Sequence, residues 1–254
     1  MTLPFETYLD AGAEELERVL DALEAADGSA TVPTCPGWTA TDLAGHLRDV
    51  YARWRGRLAG GDGRTPDATV TGPSGQGSVA TRSEVVEACY AEGTALLAEL
   101  AAAGPEAACW NWTDADQHAG WLARRIALET AVHRVDAELT ARSAHPVERE
   151  LAADGITERL EAHVGREVAG DPRATLGGTL CLICSDVDAA HVIELNGGRL
   201  RWRLGRGPAD AAVVGTASEL FLFSWNRLAL DRLSLTGRPE VAAAWADLPG
   251  RPRR

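Results

Sequence analysis

The chain has 254 residues, 45% hydrophobic and 24% charged, with 37 acidic side chains against 25 basic ones. That length suits one large domain or two modest ones with a real core. A net charge of −12 argues against broad binding to nucleic acid or to an anionic membrane surface.

The first 140 residues read as helices. Leu9, Leu16, Val19, Leu20 and Leu23 recur at helical spacing between Tyr8 and about Ala26. A turn follows, Val32-Pro33-Thr34-Cys35-Pro36-Gly37-Trp38, and Thr39 with Asp42 forms a capping-box pattern that opens a helix toward Leu58. Gly60 to Ser78, rich in Gly, Pro, Thr and Ser, reads as a long mobile loop. Thr81 and Glu84 make a second capping box for a helix running to Ala103, where Gly104-Pro105 stops it. A polar, Trp-bearing loop from Cys109 to His118 leads into a fourth helix from about Gly120 to Ala141. Four long helices with such connections suggest a four-helix bundle over residues 1–145.

After Arg142-Ser143-Ala144-His145-Pro146 the pattern changes. One more helix is expected from Val147 to Val168. Short apolar strands follow at Thr179–Ser185 and His191–Leu195, then a hairpin turn at Asn196-Gly197-Gly198 and an alternating strand at Leu200–Leu204. Ala211–Val214 is a further strand, and Thr216 with Glu219 caps a helix bearing Leu220, Phe221, Phe223 and Trp225. Leu233–Leu235 and a helix around Val241–Trp245 close the chain. Residues 146–254 thus read as a small α+β domain, and the whole chain as α+β.

No run of about 18 apolar residues is present, so no transmembrane helix is expected. The acidic start MTLPFETYLDAGAEELERVL lacks the basic and then apolar pattern of a signal peptide. Cys35, Cys89, Cys109, Cys181 and Cys184 are odd in number and sparse, as reduced thiols of a cytoplasmic protein would be. All 25 basic residues are Arg and none is Lys, which codon bias in a GC-rich genome explains. Lysine Schiff-base chemistry is thereby excluded, and an anionic substrate must be held by Arg, His or backbone N–H groups.

The main chemical constellation is His46 with Glu129 and His133. Glu129 and His133 are four apart and share one helix face, while His46 lies on the apolar side of the second helix between Leu43, Leu47 and Val50. Two His and one Glu form a common set for a catalytic metal with open positions. By spacing alone, an ordinary surface pair on two helices is the better description, since Glu and His four apart often occur by chance. Asp136, three residues beyond His133, is either an acceptor for a ligand N–H or a surface ion-pair partner beside Arg134. Trp38, Trp54 and Cys35 read as packing or cap residues. Cys181-Leu182-Ile183-Cys184 has metal or redox spacing but no second pair, and reads as buried thiols. His118, His145, His163 and His191 have no partner at ligand spacing and read as structural or surface residues.

The string Val32-Pro33-Thr34-Cys35-Pro36-Gly37-Trp38-Thr39-Ala40-Thr41-Asp42-Leu43-Ala44-Gly45-His46-Leu47 resembles the start of the mycothiol-dependent maleylpyruvate isomerase family, one of the DinB-like metal-binding bundles. A second block, Ala127-Leu128-Glu129-Thr130-Ala131-Val132-His133-Arg134-Val135-Asp136-Ala137-Glu138, is also similar and stands in the right order. The resemblance implies a DinB-like four-helix bundle followed by a small α+β, sterol-carrier-like domain. It implies that His46, Glu129 and His133 hold a divalent metal, usually zinc, and that the low-molecular-weight thiol mycothiol is the second cofactor. A lysine-free chain suits the actinobacterial hosts that make mycothiol. Arg227, after Trp225, falls on a C-terminal-domain arginine that the family uses for activity. Where family members continue with Gly-Asp this chain has Gly237-Arg238, a departure that bears on substrate rather than fold.

A free alkyl thiol has a pKa near ~8.5 and is only a few per cent thiolate at neutral pH. Coordination to a divalent cation in an open site makes it anionic. The thiolate can then add to an electron-poor double bond, the resulting single bond rotates, and elimination leaves the trans isomer. Expulsion of a different group makes the same opening step a thiol transfer. The expectation is therefore a metal- and mycothiol-dependent isomerase or S-transferase acting on a small anionic electrophile. The alternatives are a metal-dependent hydrolase using bound water and a non-catalytic metal-binding regulatory module.

Overall fold

In α1 (Phe5–Ala25) the residues Tyr8, Gly12, Leu16, Val19, Leu20 and Leu23 fall on one face at steps of three and four, and all are buried. The computed structural model describes residues 2–60, 81–113 and 116–248, so residues 61–80, most of the stretch read above as a loop, lie outside the described residues. So do positions 114–115 of the Trp-bearing loop. The chain divides into two units, Leu3–His145 and a second that begins at Pro146.

In the first unit α2 (Ala40–Gly60) starts under a reciprocal cap. The Thr39 N–H donates to Asp42 Oδ2 at 2.9 Å and the Asp42 N–H donates to Thr39 Oγ1 at 3.2 Å. The Thr81–Glu84 box opens α3 (Arg82–Ala103), which ends where Gly104 turns to φ 75°. The fourth helix, α4 (Ala119–Thr140), packs against α1, and α2 against α3. Gly93 permits close approach within the bundle, since a Cβ there would stand 2.8 Å from a Leu16 methyl and 3.1 Å from the Tyr51 ring.

Almost the whole circumference of α4 is buried from Trp121 to Glu138, which marks a central helix. Yet it carries Arg124, Arg125, His133, Arg134, Asp136 and Glu138 inside. Buried charges require partners. Arg134 finds them by donating to Glu15 Oε2 at 2.6 Å and Glu138 Oε2 at 2.7 Å, which ties α4 to α1. Glu138 also pairs with Arg18 of α1 at 3.3 Å, while Glu129 and His133 face His46 of α2.

The second unit opens with α5 (Arg149–Glu158), which runs through a π-helical turn (Arg159–Val164) into the short α6 (Gly165–Glu167). The single helix expected over Val147–Val168 is thus interrupted. The wider turn carries Arg159, 1% exposed, which donates to both Glu167 oxygens at 2.7 and 2.6 Å and lies 4.3 Å over the Trp225 ring. Five strands follow, β1 (Thr179–Cys184), β2 (Ala190–Asn196), β3 (Arg199–Leu204), β4 (Ala211–Gly215) and β5 (Ser234–Gly237), in spatial order β3-β2-β1-β4-β5. Gly197 and Gly198, with φ 55° and 74°, make the β2–β3 turn of the type that needs two positive φ values. β1 and β4 pair in parallel while every other neighbour pair is antiparallel. α7 (Ala217–Ser224), under its Thr216–Glu219 box, packs on α5, and α8 (Pro239–Ala246) lies against β4. No helix among the described residues is long and apolar enough to cross a membrane.

Candidate metal centre

His46 projects from the buried face of α2, and Glu129 and His133 from α4. His46 Nε2 lies 3.5 Å from Glu129 Oε1, and His133 Nε2 lies 3.3 Å from the same oxygen. The ligand atoms of all three side chains fall within 4.8 Å of one another. Atoms that share a cation at about 2.0–2.2 Å stand roughly 3.0–3.5 Å apart, so this donor set has the span of a single-ion site. His46 and His133 are both buried, at 7% and 6% exposure, which rules out the surface-pair description.

The electrostatics favour donor forms. Burial pushes the His46 imidazole down to about 3, so its ring is neutral near pH 7. Its Nδ1 is buried with no hydrogen-bond partner among the described residues, and the Trp38 and His46 ring centroids lie 4.9 Å apart. Trp38, read from sequence as a cap or core residue, is therefore a wall of the site. Trp54 packs instead against Trp112 and Trp121 at 5.5 and 5.8 Å, as a core residue. The Arg125 guanidinium, one turn before Glu129, binds Glu129 Oε2 and leaves Oε1 facing the two imidazoles.

Asp136 is fully buried, so it is not a surface ion-pair partner. Its Oδ2 lies 2.9 Å from His133 Nδ1 and accepts from Cys35 Sγ at 3.5 Å, and its Oδ1 accepts from Thr34 Oγ1 at 2.5 Å. Cys35, Asp136 and His133 themselves form a second cluster of possible ligand atoms. Two functional candidates were not singled out from the sequence. Arg125 sits four residues before Glu129, a spacing that would have found it. Thr34 is 102 residues from Asp136 and carries no local signal.

A family model described as the mycothiol maleylpyruvate isomerase N-terminal domain matches residues 9–138, just over half of the chain. The chain belongs to that family. All three candidate ligands, with Thr34, Cys35, Arg125 and Asp136, lie inside the matched region. Two crystal structures resemble this member of the family over 100% of both chains, each with a TM-score of 0.66. They are a mycothiol-dependent maleylpyruvate isomerase, at 14% identity, and a histidine-to-alanine mutant of a protein so described, at 13%. At that identity the likeness establishes the fold, a helical unit followed by a small mixed sheet with helices. A comparison with curated proteins gave no match.

Arg227 lies in the second unit, just past α7. Asn226 before it adopts φ 62°, the Arg227 N–H donates to Leu222 O at 2.7 Å, and its guanidinium donates to Trp225 O at 2.9 Å. Of the remaining histidines, His191 is buried with Nε2 2.8 Å from Thr157 Oγ1, and His163 Nε2 stands 3.3 Å from Glu158 Oε1. Cys181 and Cys184 are buried and unpaired in β1.

Proposed function

We propose that this chain is a metal- and mycothiol-dependent enzyme that adds a thiolate to a conjugated double bond of a small anionic molecule, as a cis–trans isomerase or an S-transferase. The observation that carries the proposal is the convergence of His46 Nε2, His133 Nε2 and Glu129 Oε1 inside the family-matched bundle. The family and its solved relatives, whose names pair mycothiol with isomerase activity, support the choice of thiol and reaction class. In this reading His46, Glu129 and His133 hold a divalent ion, most simply zinc. A bound divalent cation with open positions supplies acidity, keeping a thiol anionic at neutral pH.

The chain's own groups have distinct tasks. The neutral His46 ring offers a lone pair without first losing a proton. Glu129 brings the one carboxylate of the set, and Arg125 offsets its charge, so the loaded centre keeps a positive surplus that favours anions. Trp38 shields the His46 side of the site. Arg227 is assigned to the substrate's carboxylate, so that residues 1–145 hold the metal and residues 146–254 are needed for turnover. Five cysteines that form no disulfide suit a cytoplasmic setting.

The test is metal analysis of the purified protein, followed by turnover of a maleyl-type acid with and without mycothiol. One divalent ion per chain and a rate that needs the thiol are expected. A thiol-independent rate in dialysed, metal-loaded protein overturns the proposal in favour of a hydrolase.

A further inference from the structure

The turn before α2 joins the site through a residue that is not a ligand. Asp136 is a buried carboxyl group, and an ionised carboxylate can only accept hydrogen bonds. Side chains from two distant parts of the chain meet it, among them the Thr34 hydroxyl at 2.5 Å, the Cys35 thiol at 3.5 Å and the His133 Nδ1 at 2.9 Å. A neutral imidazole carries one N–H, and placing it on Nδ1 against Asp136 leaves the Nε2 lone pair bare. Nε2 is the atom that faces Glu129 Oε1. The opposite tautomer would set the Nδ1 lone pair against the Asp136 oxygen and put a hydrogen where the ligand lone pair is needed.

We infer that Asp136, clamped by Thr34 and Cys35, is the positioning residue that fixes the Nδ1–H tautomer of His133 and so presents Nε2 to the metal. The same turn contributes Trp38 against His46. Five consecutive residues, Thr34 to Trp38, therefore brace one histidine on each ligand helix. Sequence position explains why: the turn ends two residues before α2 starts, so the cap that begins the helix also aims its neighbours at α4. This inference rests on the reading of His46, Glu129 and His133 as ligands, and its first measurement is made without metal.

The experiment uses the full chain, stripped with chelator, and reads the His133 tautomer from imidazole 15N shifts at pH 8, with the signal assigned by its loss in His133→Gln. The wild type should show Nδ1–H. Asp136→Ala should give a mixture of both tautomers and weaken zinc binding by roughly 10–100-fold in a chelator competition. Asp136→Asn, which keeps one acceptor oxygen, should fall between the two. Thr34→Val, which preserves shape, should weaken zinc about 2–5-fold; this variant and Asp136→Asn carry the test if Asp136→Ala does not fold. An Nε2–H tautomer in the wild type overturns the inference, as does a tautomer and zinc affinity unchanged in the variants. Absence of zinc binding by the wild type would overturn the metal reading instead, while the tautomer measurement still decides the role of Asp136.

Discussion

Each unit of this chain buries a histidine whose pKa is pushed down by the same cause, and the two have opposite meanings. Loss of solvent takes His46 in the bundle to about 3 and His191 in the sheet to about 4. His191, on β2, has one hydrogen bond, from or to Thr157 on α5, and the Trp202 ring 6.2 Å away. No other ligand-type atom joins it in a cluster among the described residues. His46 faces a second imidazole and a carboxylate oxygen. A depressed pKa therefore says only that a ring is dry. Convergence of donors from two elements is what separates a site from a core contact.

Removing each histidine separates a ligand from a core residue. His46→Ala, Glu129→Ala and His133→Ala should each weaken zinc binding by roughly 100-fold or more and abolish turnover, because an open three-ligand site cannot replace a lost donor. His191→Ala should leave the metal content of the folded protein unchanged and lower unfolding stability by about 2–4 kcal/mol, from the cavity and the lost bond to Thr157. Metal analysis and denaturant titration of the same four proteins check both halves. Normal metal content in the first three variants, or metal loss in His191→Ala, would erase the distinction.

Arg227 extends the contrast to division of labour. Arg227→Ala should lower kcat by about 100-fold, as expected for removal of a charged group that holds a reacting anion, with zinc affinity within twofold of wild type. Steady-state kinetics and a zinc titration read the two separately. Parallel loss of both would assign Arg227 to the integrity of the fold and remove the second unit's proposed role.

Acid titration isolates the histidine of the sheet. His191 has a folded-state pKa of about 4 against 6.5 in an open chain. The unfolded chain thus binds the extra proton first, and stability falls as pH drops through the window between them. The contribution is present above pH 6.5, declines from there to about 4, and amounts to on the order of 3 kcal/mol. Urea unfolding from pH 8 to 4 should show a shallower acid loss in His191→Gln, which keeps a polar partner for Thr157 without the titration. Equal slopes would mean that His191 does not titrate on unfolding.

What the sequence reveals follows the range of the interactions. Three capping boxes, at Thr39–Asp42, Thr81–Glu84 and Thr216–Glu219, are formed as their three-residue spacing predicts. The Gly197-Gly198 hairpin is equally local. Glu129 and His133 are legible for the same reason, four apart on one face, and His46 stands out as a polar residue on an apolar face. Contacts between distant segments leave no such trace. The Thr34–Asp136 bond spans 102 positions, and the parallel pairing of β1 with β4 skips two intervening strands. The π-helical turn begins at Arg159, whose guanidinium meets Glu167 and the ring of Trp225 from a distant segment, contacts that no local spacing rule signals.

The smallest expected effect concerns the source of the reactive sulfur. All five cysteines are buried and outside any disulfide. Burial pushes Cys89 and Cys184 up to about 12 and Cys109 up to about 11, and raises Cys181 as well, so none of these four supplies a thiolate at neutral pH. Cys35 alone stands beside the site, and there its thiol is a hydrogen-bond donor to Asp136 Oδ2. Cys35→Ser keeps a donor of similar size at that oxygen, so mycothiol-dependent turnover and zinc affinity should stay within about threefold of wild type. Cys35→Ala, which deletes the donor but leaves Thr34 and His133 on Asp136, should cost no more than about tenfold in zinc affinity. Loss of activity in a folded, zinc-loaded Cys35→Ser protein would make Cys35 a nucleophile. It would also collapse the separation on which the reading depends, between a protein that supplies the metal ligands and a diffusible thiol that supplies the sulfur.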